Sequence, residues 1–541
     1  MIAAFTLLAV AQSAAPTVPS TNRSPLILDQ NRLDRTPDPT EAPRDTTPQI
    51  RTVPSGGSTV EASADAVAIR NVNFGGAKVP ARVADAARPF LGRKATKETL
   101  GNLANALSAA YEEADIALYT VVIPDQDFAR GVVTIRVAEG FVERVTFTEG
   151  MTPLMKAYAT QLTRQKPLSR STLQRYLSLM RDIPGEKVDV QVVRGTKPGG
   201  VVLQIKGERK HTDFSVSYDN RGQSTQGNSQ VRADAHAYSL LRDGDRTDLT
   251  GLVTPNINRL RYISLAHATP IGADGGQLSL SAGYLATHAK STNFDGTAKT
   301  GGVTYSYPII RGYKKNLVAS LGIDGINSDQ AILGAVASSD HTRALRGALG
   351  FSEVKTKSVI SAGLTISRGL DILSAQGTPM LSKPVFTKVN ARASYDRQIG
   401  KRIVARWRGQ AQYSKDWLPA GERLVIGGAE YGRAFNQAVI SGDRGYATLG
   451  ELAFRPKVGK TLEGSELYGF TDYSKLRFVS RLPFYYGATF DLASAGAGVR
   501  IAFTPRAWFE VEGARVIDQP YPNYRGKWRV NVSWRLQLKK S

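Results

Sequence analysis

The sequence predicts two small α+β units, each running β-α-α-β-β, followed by a 16-stranded antiparallel transmembrane β-barrel. Three observations carry this reading. From residue 209 to the end, about sixteen short segments alternate apolar and polar residues between Gly, Asp, Asn and Pro turns, the period-2 pattern of strands with two unlike faces. Ahead of them, residues 66–208 repeat one strand-helix-helix-strand-strand pattern twice. The alternating part is also longer than one soluble β-sandwich core fills, whereas a barrel grows by adding strands, and an even number suits closure.

Taken in order, residues 1–15, MIAAFTLLAVAQSAA, have a short apolar core ending in Ser13-Ala14-Ala15, the form of a secretory signal peptide, with no Lys or Arg ahead of it. Residues 16–65 are rich in Pro, Thr, Asp and Arg, too poor in large apolar side chains to offset the entropy of ordering, and read as a linker. Within it, residues 26–35, LILDQNRLDR, form the one helix-like stretch. The first α+β unit, residues 66–138, has strands at 66–74, 117–123 and 131–137; its second helix lines Leu100, Leu103, Leu107, Ala110 and Tyr111 along one stripe that must be buried. The second unit, residues 139–208, starts with a strand at 140–148. Thr152-Pro153 then caps and opens a helix, Leu173, Tyr176, Leu177 and Met180 give the next helix its apolar face, and strands follow at 188–193 and 200–205.

In the barrel part, residues 402–413 place Ile403, Ala405, Trp407, Gly409, Ala411 and Tyr413 on one face and Arg402, Arg406, Arg408, Gln410 and Gln412 on the other, with Val404 the exception. The last strand sets Trp528, Val530, Val532, Trp534, Leu536 and Leu538 against Arg529, Asn531, Ser533, Arg535 and Gln537. Such strands read as apolar toward lipid and polar toward a lumen. Mean hydropathy is −0.24 and no run approaches a transmembrane helix, which a barrel, with half of each strand facing water, also produces. Tyr413, Trp417, Trp508, Trp528 and Trp534 are candidates for the aromatic girdles.

From residue 209 onward there are 45 Lys and Arg against 26 Asp and Glu, most of the chain's net charge of +23. Because these charges alternate with apolar residues, they read as lumen and loop charges (Arg402, Arg406, Arg408, Arg529 and Arg535 among them) rather than as a nucleic-acid footprint. A basic lumen in turn suggests an acidic solute. Without cysteine there is no disulfide or thiol chemistry. The five histidines, His211, His236, His267, His288 and His341, are too dispersed for a zinc site. Ser352-Glu353-Val354-Lys355 and Lys299-Thr300-Gly301 superficially match serine β-lactamase elements, but in reversed order and at expected turns. No nucleotide fingerprint is present; the chain reads as a non-enzyme needing neither cofactor nor metal.

The strand series is interrupted at residues 420–446, where Gly427, Gly428, Gly432, Gly442 and Gly445 permit sharp folding back around a central arginine, Arg433. Here the chain resembles the two-partner secretion transporters, the haemolysin secretion/activation proteins of the POTRA-plus-barrel superfamily. Gly432-Arg433-Ala434-Phe435 matches their loop-six tetrapeptide, with Ala434 in place of a glycine. Gly442-Asp443-Arg444-Gly445 matches the motif that follows, and Phe470-Thr471-Asp472-Tyr473-Ser474 matches the Phe-x-Asp-x-Gly wall strand, with Ser474 in place of the last glycine. Ile123-Pro124-Asp125-Gln126 and the segment 131–137 resemble the end of the first POTRA domain, and Tyr218-Asp219-Asn220-Arg221-Gly222 the start of the barrel.

The resemblance implies a Gram-negative outer-membrane exporter with its two POTRA domains in the periplasm. It implies loop six tucked into the lumen with Arg433 paired to Asp472, residues 26–35 as a plug, and a secreted partner protein captured at POTRA sheet edges. Further partners would be outer-membrane lipids and the barrel-assembly machinery, although Leu538 is followed by Lys-Lys-Ser rather than by a C-terminal aromatic residue. A barrel-assembly factor and a small-solute porin or receptor are the alternatives.

Overall fold

The computed structural model describes residues 32–33, 58–60, 67–76, 78–223, 225–289, 294–332, 335–459, 462–481, 487–504, 506–522 and 524–538. The expected signal peptide lies outside them, as does the 26–35 helix apart from Arg32 and Leu33.

The first α/β unit comprises β1 (Ser58–Val60), β2 (Asn71–Gly75), α1 (Ala81–Asp85), α2 (Lys97–Glu113), β3 (Tyr119–Ile123) and β4 (Val132–Glu139), with sheet order β1-β3-β4-β2. The Thr96 hydroxyl accepts the Thr99 amide to start α2, whose Leu100, Leu103, Leu107 and Tyr111 are buried against the sheet. Strand β1 comes from the expected linker and pairs in parallel with β3 from Ser58↔Val121 to Val60↔Ile123. The β3 edge is therefore covered over three residues by the chain itself.

The second unit is β5 (Phe141–Glu149), α3 (Pro153–Leu162), α4 (Arg170–Asp182), β6 (Glu186–Arg194) and β7 (Gly200–Arg209), with β7 central in the sheet. Thr152 and Ser169 cap α3 and α4. Helix α4 touches both neighbours. At its N-terminus the Arg170 amide donates to the Asp115 carbonyl at 2.7 Å, and the Ser171 amide and hydroxyl donate to the Asp115 carboxylate at 2.8 and 2.6 Å. Farther along, Arg175 donates to the carboxylate and carbonyl of Asp274 (2.7 and 2.8 Å), to the Pro308 carbonyl (2.8 Å) and to the Tyr307 hydroxyl (3.0 Å), and Asp182 pairs with Arg311 at 2.6 Å. With about 1.5 Å of rise per residue, this 13-residue helix is a strut of roughly 20 Å between the first unit and the barrel.

Sixteen antiparallel strands close the barrel: β8 (Thr212–Asp219), β9 (Gln230–Tyr238), β10 (Arg246–Val253), β11 (Leu260–Ile271), β12 (Gly276–Ala289), β13 (Phe294–Arg311), β14 (Lys315–Ile332), β15 (Ala335–Lys355), β16 (Ser358–Gly369), β17 (Thr387–Ile399), β18 (Ile403–Ser414), β21 (Arg444–Phe454), β22 (Glu466–Arg477), β23 (Thr489–Thr504), β24 (Ala507–Asp518) and β25 (Trp528–Leu538). Between β18 and β21, β19 (Leu424–Ile426) and β20 (Ile440–Gly442) form a separate two-stranded hairpin. The alternation holds: Ile403, Trp407, Tyr413, Trp528 and Val530 are exposed outward, while Gln410, Gln412, Asn531 and Val404 are buried inward. Arg402 departs from it, lying exposed in the turn before β18 rather than in the lumen. Likewise Lys299-Thr300-Gly301 lies inside β13 and Ser352–Lys355 in β15, not at turns. Strands β13, β14 and β15 have 18, 18 and 21 residues, against 8 in β8 and β10.

Burial raises the Asp274 carboxyl, but the Arg175 guanidinium and the tyrosine hydroxyls outweigh it and hold it below the usual carboxylate range. A group with a depressed native pKa stabilises above its unfolded value, about 4, and loses that contribution as pH falls through the native one, so the junction stays intact at pH 5. Arg175→Ala is expected to leave both parts folded and to free their relative orientation. Spin labels on cysteines introduced into this cysteine-free chain, one in α2 and one in a barrel turn, would report a broadened distance distribution; an unchanged one would show that Arg175 does not set the angle.

Candidate functional site: loop six and its socket

Residues 415–443 leave β18 and return as β21, and between them the chain descends into the lumen. Asp443 holds its return. The buried carboxylate accepts both terminal nitrogens of Arg481 at 2.6 and 2.7 Å, the Val479 amide at 2.8 Å and the Leu418 amide at 3.1 Å, which ties both ends of the loop to the connection after β22. The next residues enter β21 against the wall: a Cβ on Gly445 would lie 2.2 Å from the Lys475 carbonyl oxygen, so only glycine fits. Arg444 points the other way and stacks on the lipid-side ring of Tyr413 at 5.9 Å.

Below this anchor the β19–β20 hairpin buries Leu424, Ile426, Tyr431, Phe435 and Ile440 against lumen-facing Leu449, Tyr468, Phe470, Leu476 and Leu492. This apolar patch on the polar side of β21–β23 was not anticipated; it is the bed on which the loop lies. At the tip, Gly432 has φ +68° and its carbonyl accepts the Phe435 amide at 2.9 Å. The left-handed turn suits glycine and aims Arg433 inward.

The expected Arg433/Asp472 ion pair does not form. The guanidinium crosses the Phe470 ring, 4.6 Å from its centroid, and donates to Glu451 at 3.1 Å and Glu512 at 3.0 Å. Asp472 instead accepts the Arg433 main-chain amide at 3.2 Å and the Ser494 hydroxyl at 2.7 Å. The physical reason is reach: a short carboxylate beside the loop backbone takes the amide, while the long side chain passes over the aromatic face to the glutamates beyond. Ala434 is buried and is accommodated at the tip, and Ser474 is fully buried.

The glutamates are shared. Glu451 also accepts Arg500 (2.7 and 2.8 Å) and Arg406 (2.9 Å), Arg406 and Arg500 reach Glu466, and Glu512 accepts Tyr468 (2.9 Å), Asn531 (3.1 Å) and Arg221 (3.2 Å). Sequence reading singled out Arg406 but missed Glu451, Glu466, Glu512, Arg221 and Arg500. The available signal was acidic residues at lumen-facing positions of strands flanking Asp472. Arg408 pairs with Asp396 and Arg535 with the Ser215 hydroxyl. Of the five arginines expected in the lumen, Arg406 and Arg408 are thus paired with carboxylates, whereas Arg535 meets a hydroxyl.

Higher in the lumen, Arg32 donates to Glu422 and to the Gly421 carbonyl, both at 2.7 Å. Glu422 also receives Arg346 at 2.9 Å and Lys388 at 2.7 Å. A residue of the N-terminal stretch therefore sits inside the barrel, at the start of loop six.

The haemolysin secretion/activation protein family (ShlB/FhaC/HecB) matches residues 199–501, and the ShlB-type POTRA domain matches residues 67–140. The hemolysin transporter protein HpmB of Proteus mirabilis is 23% identical over 325 residues, 57% of this chain and 58% of that one. The heme/hemopexin transporter protein HuxB of Haemophilus influenzae is 22% identical over 460 residues, 80% of each. Among solved structures, CdiB from Escherichia coli superposes with a TM-score of 0.72 at 17% identity, over 87% of this chain and 90% of that one, which shows the shared fold.

Proposed function

This chain belongs to the haemolysin secretion/activation protein family, and from that premise we propose that it exports one large partner protein, unfolded and without ATP, from the periplasm to the cell surface. It is an outer-membrane β-barrel with its α/β units on the periplasmic side. The observation that carries the reading is the seated loop: a hairpin inside the lumen, held by a buried arginine between two buried glutamates, at the far end of a barrel whose near turns rest on α4. A pore for small solutes has no need of periplasmic sheets. Extended clients bind open sheet edges by main-chain pairing, and the edge strands here are β1 and β2 of the first sheet and β5 and β6 of the second. Passage requires loop six and the Arg32 stretch to leave the lumen, so capture and unseating belong to one cycle.

The test compares culture medium and outer membrane from cells with and without the gene. Loss of one large extracellular protein with an unchanged set of outer-membrane barrels is the expected result. A complete medium with altered barrels would overturn export in favour of barrel assembly.

A further inference from the structure

The barrel closes where its last strand meets its first, and this seam is short. β25 pairs with β8 over six residues, from Ser533↔Asp219 to Leu538↔Phe214, whereas β25 pairs with β24 over nine. Above Asp219 the first strand has ended, yet β25 continues upward through residues 528–532. Side chains and loop six take over the pairing there.

Asn220 does the work of a strand. Its amide donates to the Val532 carbonyl at 3.2 Å; its side chain accepts the Val532 amide at 2.8 Å and donates to the Val530 carbonyl at 2.9 Å. One rung higher, Arg529 spans the seam. One terminal nitrogen donates to the carbonyls of Asn220 and Gly222 at 3.0 and 3.4 Å, the other to the Phe435 carbonyl and the Asn436 side chain at 3.1 and 2.6 Å. Gly222 is presented because its loop folds back so closely that a Cβ would lie 2.6 Å from the Gly227 carbonyl oxygen. Behind this, buried Asn531 donates to the Arg433 carbonyl at 3.0 Å, and Arg221 and Arg433 meet on Glu512.

We propose that the upper half of the seam is closed by the tip of loop six, with Arg529 as the positioning residue that ties the tip to the first strand, so that unseating the loop loosens the seam above Asp219. The Asp219-Asn220-Arg221-Gly222 motif thereby gains a role: Asn220 extends the strand, Arg221 joins it to the loop-six glutamate, and Gly222 lends a carbonyl. The inference concerns barrel closure and does not depend on what passes through the pore.

Hydrogen exchange on the purified full-length protein in lipid nanodiscs tests it, with the β24–β25 amides of residues 507–515 as the internal reference. Arg529→Ala and Arg433→Ala should each raise exchange across residues 528–533 by about tenfold or more, and the double variant no further, because both remove one lock. Arg529→Lys, which keeps the charge but cannot fork across the seam, should recover only part of the protection. Should either alanine variant fail to give a folded barrel, as judged by heat-modifiable migration, Asn436→Ala decides: it removes one acceptor and should raise exchange at 528–533 a few fold. Unchanged protection in Arg433→Ala, or in Asn436→Ala where that variant decides, would overturn the coupling. Effects of Arg529→Ala and Arg433→Ala that simply add would also overturn it.

Discussion

Asp443→Ala is expected to abolish export while a barrel still reaches the outer membrane. The substitution strands the buried Arg481 guanidinium, a loss of about 3 to 5 kcal/mol for one side of a buried pair, and leaves the Leu418 and Val479 amides short of an acceptor at about 1 to 3 kcal/mol each. Those groups join the two ends of loop six to the neighbouring connection, so the cost falls on the loop. The sixteen-strand ladder does not pass through them. The measurement is paired: extracellular client by immunoblot, and protease sensitivity of residues 418–443 in intact cells. Asp443→Asn keeps acceptors for the amides but loses the ionic fork, and should retain a fraction of export. Full export by Asp443→Ala would show that the anchor is dispensable.

Arg433→Ala should be nearly as damaging, by a different route. Here the loop loses the ion pairs that Arg433 makes with both glutamates, while the glutamates keep others: Glu451 still holds Arg500 and Arg406, and Glu512 still holds Arg221, Tyr468 and Asn531. The wall therefore stays satisfied and the barrel inserts normally. The seated loop loses about 3 kcal/mol or more, roughly a hundredfold in its population. Export should fall to background, and single-channel recordings should show frequent large openings in place of a closed baseline. Arg433→Lys, a point charge without the planar fork, should rescue poorly. Normal export from Arg433→Ala would remove the loop from the mechanism.

Much of this architecture is legible in the sequence because strand alternation and helix stripes are local. Trp407 beside Arg406 reports a wall with two faces wherever the strand sits, and Leu100, Leu103 and Leu107 require a sheet beneath them. The loop motif is legible too, through Gly432, Arg433 and the Asp443 group. The link from the loop to the strand of Phe470 and Asp472 was legible through its motif, but the other relations set by register between distant strands escaped. Glu451 and Glu512 lie on different strands, and nothing near Arg433 in sequence says that its side chain passes Asp472 and reaches them. The bed for loop six escaped because Leu449, Leu476 and Leu492 sit singly at lumen positions, each a small irregularity that gains meaning only when the strands stand side by side. Ser58–Val60 is three residues long, below what periodicity can reveal. Arg32 lies in the stretch read as a plug, but nothing in that stretch names Glu422 as its partner.

The unequal strands have one more consequence. β13 to β15 are fixed at their periplasmic ends by the turn that touches α4, so their additional residues rise on the other side, at about 3.3 Å per residue along each strand, well above an apolar band about 25 Å tall. Across the mouth, β24, β25 and β8 have only 12, 11 and 8 residues. The rim is therefore a collar raised on one side, and a flexible polymer emerging past it loses the orientations that the high wall blocks while keeping those over the low lip. Geometry alone gives the outgoing chain a direction, with no energy supplied.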